Sequence, residues 1–378
     1  MDIASRNGPN RVLTAITFLA ISLFLFIYLS HSWSLTFLNE DFDPNQSGDW
    51  LINYSGGFIR RGLMGEILDR SVPQSVSIIV ALGYLQILIL GFLFASFTIL
   101  FFRSTKSPAW IMVCLSPAVL MFPAVNPEAA FRKELLPLLA LALLALGAKL
   151  GIRLWLLFAS LAIYTLAVFS HEASIAVLPG LVYLVREFTS SPYARISRIA
   201  NAYLIGISLV AGILALRFPG SQEQIDAICT SWSDRGIGNC YQGSLAAMTT
   251  SVLDSVDFLF TNYYPEYFLY LLVISLAIFP LFLVRFLPQH WKLAVVAVLV
   301  LLPLFVGAWD YGRWIFIGFA ELSLVALALE SRKKLAPAIN VPLIVALGYA
   351  FLWGFSWYEQ VFREPLIQQL LQQLALIT

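Results

Sequence analysis

The chain has little charge. Only 12% of its 378 residues are Asp, Glu, Lys or Arg, where a soluble domain carries about a quarter. Other absences narrow the class further. The alternating apolar and polar pattern of a membrane barrel is missing. No internal repeat is visible, which weighs against the repeated halves of many transporters. The first apolar run, Val12 to Leu29, is too long for a signal-peptide core, and Ser30-His31-Ser32-Trp33 after it is not a small-x-small cleavage site. That run therefore reads as a first spanning helix. Cysteine is scarce, at three residues, and the loop holding Cys229 and Cys240 offers too few ligands for a zinc site.

What the chain has in quantity is apolar surface. Hydrophobic residues make up 60% of it, and its mean hydropathy is +0.82. Apolar runs occupy roughly 12–30, 76–102, 109–125, 135–150, 154–170, 173–186, 201–217, 267–286, 293–308, 315–330 and 338–357. Lipid offers the backbone no partners, so such runs must be helices. The expected fold is all-α, a polytopic transmembrane bundle of about eleven spans, within a range of ten to twelve because several runs are short. Prolines at 117, 123, 137, 179, 280 and 303 point to kinked or broken helices.

Orientation follows from the basic residues. With the N-terminus in the cytoplasm, more than half of the 23 Lys and Arg residues fall in cytoplasmic loops, among them Arg103, Lys106, Arg153, Arg195, Arg285 and Lys333. The expected location is the inner (plasma) membrane, multi-pass. Two long segments then lie outside, 31–75 and 218–266, and three short turns join them at 126–134, 171–172 and 309–314. Cys229 and Cys240, 11 positions apart in the second long loop, are expected to form a disulfide in an oxidising compartment.

The outer segments hold the chemistry. Residues 58–70 fit an amphipathic interfacial helix with Ile59, Leu63, Met64, Ile67 and Leu68 on one stripe. Arg60 and Arg61 beside it either grip phosphate through bidentate guanidinium bonds or snorkel to lipid head groups. Asp41, Asp43 and Asp49 are carboxylates of which one could deprotonate an acceptor hydroxyl; the bland alternative is a solvated acidic loop. His171 and Glu172 lie at the membrane surface as an acid–base pair or as a cap on a helix hairpin. Asp310 and Arg313 either pair with each other or leave Arg313 to hold phosphate, with Trp309, Tyr311 and Trp314 stacking on sugar rings or anchoring at the interface. Arg132 and Lys133, with Glu128 and Glu134, make a third charged turn, and Glu321 is expected to pair inside the bundle.

Taken together, the multi-span bundle, the acidic first loop with Asp41, Asp43 and Asp49, the stretch 58–70, and the outer Arg60, Arg61, Arg132 and Arg313 resemble the GT-C superfamily of membrane glycosyltransferases and the Wzy-type polysaccharide polymerases. The large outer soluble domain of some of those enzymes is missing. The resemblance implies transfer or polymerisation of sugar units from a polyprenyl (pyro)phosphate-linked donor on the non-cytoplasmic face. It implies Asp41 or Asp43 as base and Arg60, Arg61 and Arg313 as phosphate ligands. The partners expected are the bilayer, the polyprenyl-linked saccharide and polysaccharide-assembly proteins, with no nucleic acid. No organic cofactor is expected, and a divalent cation stays open. The alternatives are a transporter or flippase for a lipid or anionic solute, which predicts ionisable groups at mid-membrane depth, and a non-catalytic assembly subunit that binds through the amphipathic stretch 368–374.

Overall fold

The computed structural model describes residues 8–149, 154–188, 193–238, 240–249, 256–257, 261, 267–307, 310–357 and 361–377. Trp309 and much of the later part of the second long loop lie outside them. The described residues are helical and connecting, with no strand; a single isolated bridge joins Phe355 and Phe362. Five helices are long and apolar enough to cross a membrane. They are α1 (Gly8–Leu38), α4 (Ile78–Arg103), α10 (Ala194–Arg217), α14 (Phe286–Gly307) and α15 (Tyr311–Ser331). Shorter apolar helices include α7 (Leu135–Lys149), α8 (Leu154–Ser170) and α13 (Tyr267–Leu283). The chain thus fits a multi-pass membrane protein.

The helices form a centre and a shell. Every residue of α15 is buried, and α7 is buried along most of its length. Around them, α1, α10 and α14 turn residues such as Ile16, Ile213, Leu216 and Leu299 outward. Apolar bands of that size need lipid or a partner to cover them. Helix α1 packs on α4 through stacked Phe18 and Phe101, with ring centroids 3.9 Å apart. It also runs eight residues past the expected end of its span, because Trp33 and Phe37 are buried and the Trp33 indole N–H donates to Gln86 at 2.9 Å.

Three expected spans are not continuous helices. Residues 109–125 form α5 (Pro108–Cys114), then turns, then α6 (Phe122–Val125), all buried. Pro117 and Pro123 lack the N–H that a continuing helix needs. Irregular backbone at this depth survives where protein satisfies it: the Ser116 hydroxyl accepts the Ala118 N–H, and Asn126 donates to the Phe355 carbonyl. Residues 172–177 are a 3₁₀ segment, and α9 (Leu178–Phe188) starts only beyond it. The last expected span is helical only in α16 (Leu343–Phe351), before the terminal α17 (Leu366–Ile377).

The first long loop is folded onto the bundle. It contains α2 (Ser47–Leu51) and α3 (Leu63–Ser71). The helix expected from residue 58 begins at 63 because Arg61 has φ +68°, a left-handed conformation that ends any continuous helix there. Of its apolar stripe, Ile59, Met64 and Leu68 are buried, whereas Ile67 is 41% exposed. Gly65 lets α3 press on the first loop, since a Cβ there would meet the Ile52 carbonyl oxygen at 2.0 Å.

The second long loop straps the first. Its helix α11 (Gln222–Ser233) is N-capped by Ser221 and tied by the Cys229–Cys240 disulfide that the sequence predicts. From it, Trp232 donates to the Leu51 carbonyl at 2.9 Å and Gln224 to the Phe58 carbonyl at 3.0 Å. Arg235 pairs with Asp69 at 3.0 Å. Helix α12 (Gly243–Ala246) brings Ser244 to the same region.

Candidate functional site

Five separate segments converge at one end of the bundle. These are α2, the turn before α3, the turn before α7, the junction after α8, and the N-terminus of α15. They bring together Asp49, Arg60, Arg61, Arg132, Lys133, Glu134, His171, Glu172, Asp310 and Arg313.

Asp49 is placed by its neighbours on α2. The Trp50 indole N–H donates to the Phe131 carbonyl at 2.7 Å, and the Gln46 side chain donates to the Pro127 carbonyl. These bonds pin α2 against the 126–134 turn and seal the Asp49 carboxylate, neither oxygen of which has a hydrogen-bond partner among the described residues. Lys133 Nζ lies 4.0 Å from Asp49 Oδ1 and donates to the Arg61 carbonyl at 2.9 Å. One buried ammonium therefore joins the carboxylate to the strained backbone of Arg61. Burial lifts the Asp49 pKa, but the surrounding cations, led by Lys133, outweigh it and hold the group far below the usual carboxylate range. Burial pushes Lys133 down to about 8 against the pull of Asp49.

Arg61 meets Glu172 along one edge of its guanidinium, with Nε 3.0 and 2.8 Å from the two carboxylate oxygens and Nη2 on Oε1. Arg60 Nη1 stands 3.7 Å from the same oxygen. Burial opposes ionisation of Glu172, yet the charge and hydrogen bonds of Arg61 hold it well below its ordinary range. Beside it, His171 Nδ1 accepts the Ala173 N–H at 3.2 Å, which leaves the proton on Nε2, 3.4 Å from Glu134 Oε1. Burial, reinforced by Arg61, pushes His171 down to about 4, so the ring is neutral at neutral pH. Glu134 also pairs with Arg313, whose other nitrogen reaches Asp310. For Asp310, burial outweighs the pull of Arg132 and Arg61 and raises the pKa. Arg132 donates to Ser244 at 3.0 Å and lies over the Trp357 ring at 5.6 Å.

Comparison with protein-family models, with curated proteins and with solved structures gives no match.

The geometry sorts the cluster by depth. Asp49, Lys133, His171, Glu134 and Arg313 are sealed, with at most 5% of each side chain exposed. Arg60, Arg61, Glu172 and Asp310 are 18–24% exposed and form a mouth. Among the described residues the arginine Nε atoms at 60, 132 and 313 are buried without a hydrogen-bond partner, so the site holds donor capacity beyond its internal ion pairs.

Two of the expected residues stand apart. Asp41 is exposed. The Asp43 carboxylate accepts the Asn45 and Gln46 amides at 2.8 and 2.6 Å and shapes the turn into α2. Neither joins an ion pair of the cluster among the described residues. Tyr311 and Trp314 are buried, not lined up at the mouth. Glu134, Ser244 and Trp357 were given no role by sequence, although Glu134 follows directly on Arg132-Lys133. Among the described residues no three His, Cys, Asp or Glu side chains form a metal-binding group. Each carboxylate of the cluster faces a cation of the chain instead.

Proposed function

We propose that this chain is a membrane enzyme that transfers sugar units from a polyprenyl (pyro)phosphate-linked donor to an acceptor on the non-cytoplasmic face, in cell-surface polysaccharide assembly. The observation that carries this reading is the half-open mouth, where Arg60 and Arg61 stand near Asp310 over a sealed floor of paired charges that includes Lys133 and Arg313. It suits a substrate with an apolar tail in lipid and a phosphate at the interface. In this reading the chain crosses the inner membrane about eleven times, three of them as broken helices. Its N-terminus is cytoplasmic, and α3 rests at the interface.

The chemistry assigns a role to each group. Arg60 and Arg61 hold the donor phosphate. The acceptor hydroxyl gives its proton to Asp310, whose raised pKa and partial exposure suit a base better than the deeply ionised, sealed Asp49 does. The acceptor oxygen bonds to the anomeric carbon, and the bond from that carbon to the phosphate oxygen breaks. The electron pair leaves on the phosphate, where the arginines stabilise the developing charge. Asp49 acts as the fixed counter-charge for Lys133.

The test is turnover of a polyprenyl diphosphate-linked saccharide by purified protein. Asp310→Asn and Arg61→Ala should each lower kcat by at least about a hundredfold, while Asp41→Asn stays near the parent. Normal turnover in the first two would overturn the assignment.

One observation favours a flippase instead. Glu321 lies fully buried within α15 and accepts the Gly180 N–H near the start of α9, with its second oxygen unpartnered among the described residues. Buried carboxylates at such depth mark ion or substrate paths in transporters. Lipid-headgroup translocation in proteoliposomes that Glu321→Gln abolishes would decide for that reading. A non-catalytic subunit would show neither activity.

A further inference from the structure

We infer that Glu172 is a charge gate: it occupies the Arg60–Arg61 anion site as a built-in competitor and admits only phosphates that carry more charge than a phosphodiester. This rests on the proposed phosphate role of that pair.

The inference starts from the placement of Glu172. Arginines that grip phosphate at a membrane surface face a selection problem, because bulk phospholipids present phosphodiesters in large excess. A guanidinium fork does not by itself tell one phosphate from another, since it matches any pair of oxygens. Here the fork is already filled. The Glu172 carboxylate takes Nε and Nη2 of Arg61 and draws Arg60 to 3.7 Å. It sits in the half-exposed mouth with 21% of its side chain accessible, so an incoming ligand can reach it. Among the described residues it has no other strong partner: His171 Nδ1, 3.8 Å away, accepts the Ala173 N–H and leaves Glu172 able to swing out.

A phosphodiester brings a single negative charge and gains nothing over the carboxylate it must displace. A phosphomonoester brings about 1.5 to 2 charges near neutral pH, and a diphosphate brings more over a longer span. Only these groups can satisfy both arginines and still offset the loss of the bidentate Glu172 contact. Glu172 is thus a specificity-determining residue that sets a threshold on headgroup charge.

The experiment uses the full chain in nanodiscs, with labelled farnesyl diphosphate as the probe. In the parent, affinity should be the same in phosphatidylcholine discs and in discs rich in phosphatidylglycerol, and inorganic pyrophosphate should compete. Glu172→Gln should bind the probe about tenfold more tightly in phosphatidylcholine and lose that gain in phosphatidylglycerol. Arg61→Lys keeps the charge but breaks the fork, and it too should become sensitive to phosphatidylglycerol. Indifference to phosphatidylglycerol in both variants overturns the gate while leaving the site's phosphate role standing. Absence of probe binding in the parent, or failure of pyrophosphate to compete, overturns both.

Discussion

Lys133 and Asp49 face each other at 4.0 Å with both side chains completely sealed from solvent. Removing one member of such a pair strands the other's charge, whereas removing both does not. Lys133→Met should therefore destabilise the protein by about 3 kcal/mol, at the low end of the range because Arg61 and Arg132 still face Asp49. Adding Asp49→Leu to Lys133→Met should recover most of the loss. Denaturation in detergent, run as a double-mutant cycle, measures both. Equal stability of Lys133→Met and the parent would show that the pair does not hold the site together.

His171 gives the site a pH signature. Its folded-state pKa is about 4, against about 6.5 for the unfolded chain. Between these values the unfolded state binds more protons, so stability falls as pH drops from about 6.5 through about 4 and is unaffected above that window. His171→Gln should flatten the profile there by an amount on the order of a few kcal/mol. Thermal unfolding across pH 4 to 7 reads it out.

The disulfide is expected to act at a distance. Replacing Cys229 and Cys240 together by serine should cost on the order of 3 kcal/mol. It should also loosen the strap that α11 lays across the first loop. Limited proteolysis should then cut the segment between 218 and 238 sooner than in the parent. Unchanged cleavage would mean that the strap holds without its bridge.

Gly180 tests the buried contact below the site. A Cβ there would meet Glu321 Oε1 at 2.8 Å. Gly180→Ala alone should destabilise by about 1–3 kcal/mol. In a Glu321→Ala background the same change should cost clearly less, because the space has been vacated. Additive losses in the double variant would place the strain elsewhere.

Hydropathy made the helical character legible, because a run of apolar residues in lipid has few backbone options. It carried 109–125 as one run, while the prolines at 117 and 123 marked that run for a break without fixing its place after Cys114. The disulfide was legible because two cysteines 11 positions apart share one loop, and the bridge joins them. Charged turns were legible as chemistry, and Arg61, Glu172, Lys133 and Arg313 do meet. What no local pattern carries is which turn reaches which. His171 and Arg313 are 142 positions apart, and Asp43 differs from Asp49 only in that a turn consumes its carboxylate. Glu134 lay in plain view, but its value comes from partners on two distant segments, the junction after α8 and the start of α15.

The five-segment origin of the cluster also sets a schedule for its birth. Ribosomes deliver the chain from the N-terminus, so Asp49 emerges first, then Lys133, then Glu172, and Arg313 only after α14 has been made. Until α15 arrives, Glu134 lacks its arginine and the bundle lacks its fully buried central helix. Nascent chains released before residue 313 therefore carry a half-matched charge at Glu134, a recognisable mark of an unfinished molecule that disappears once Arg313 is in place.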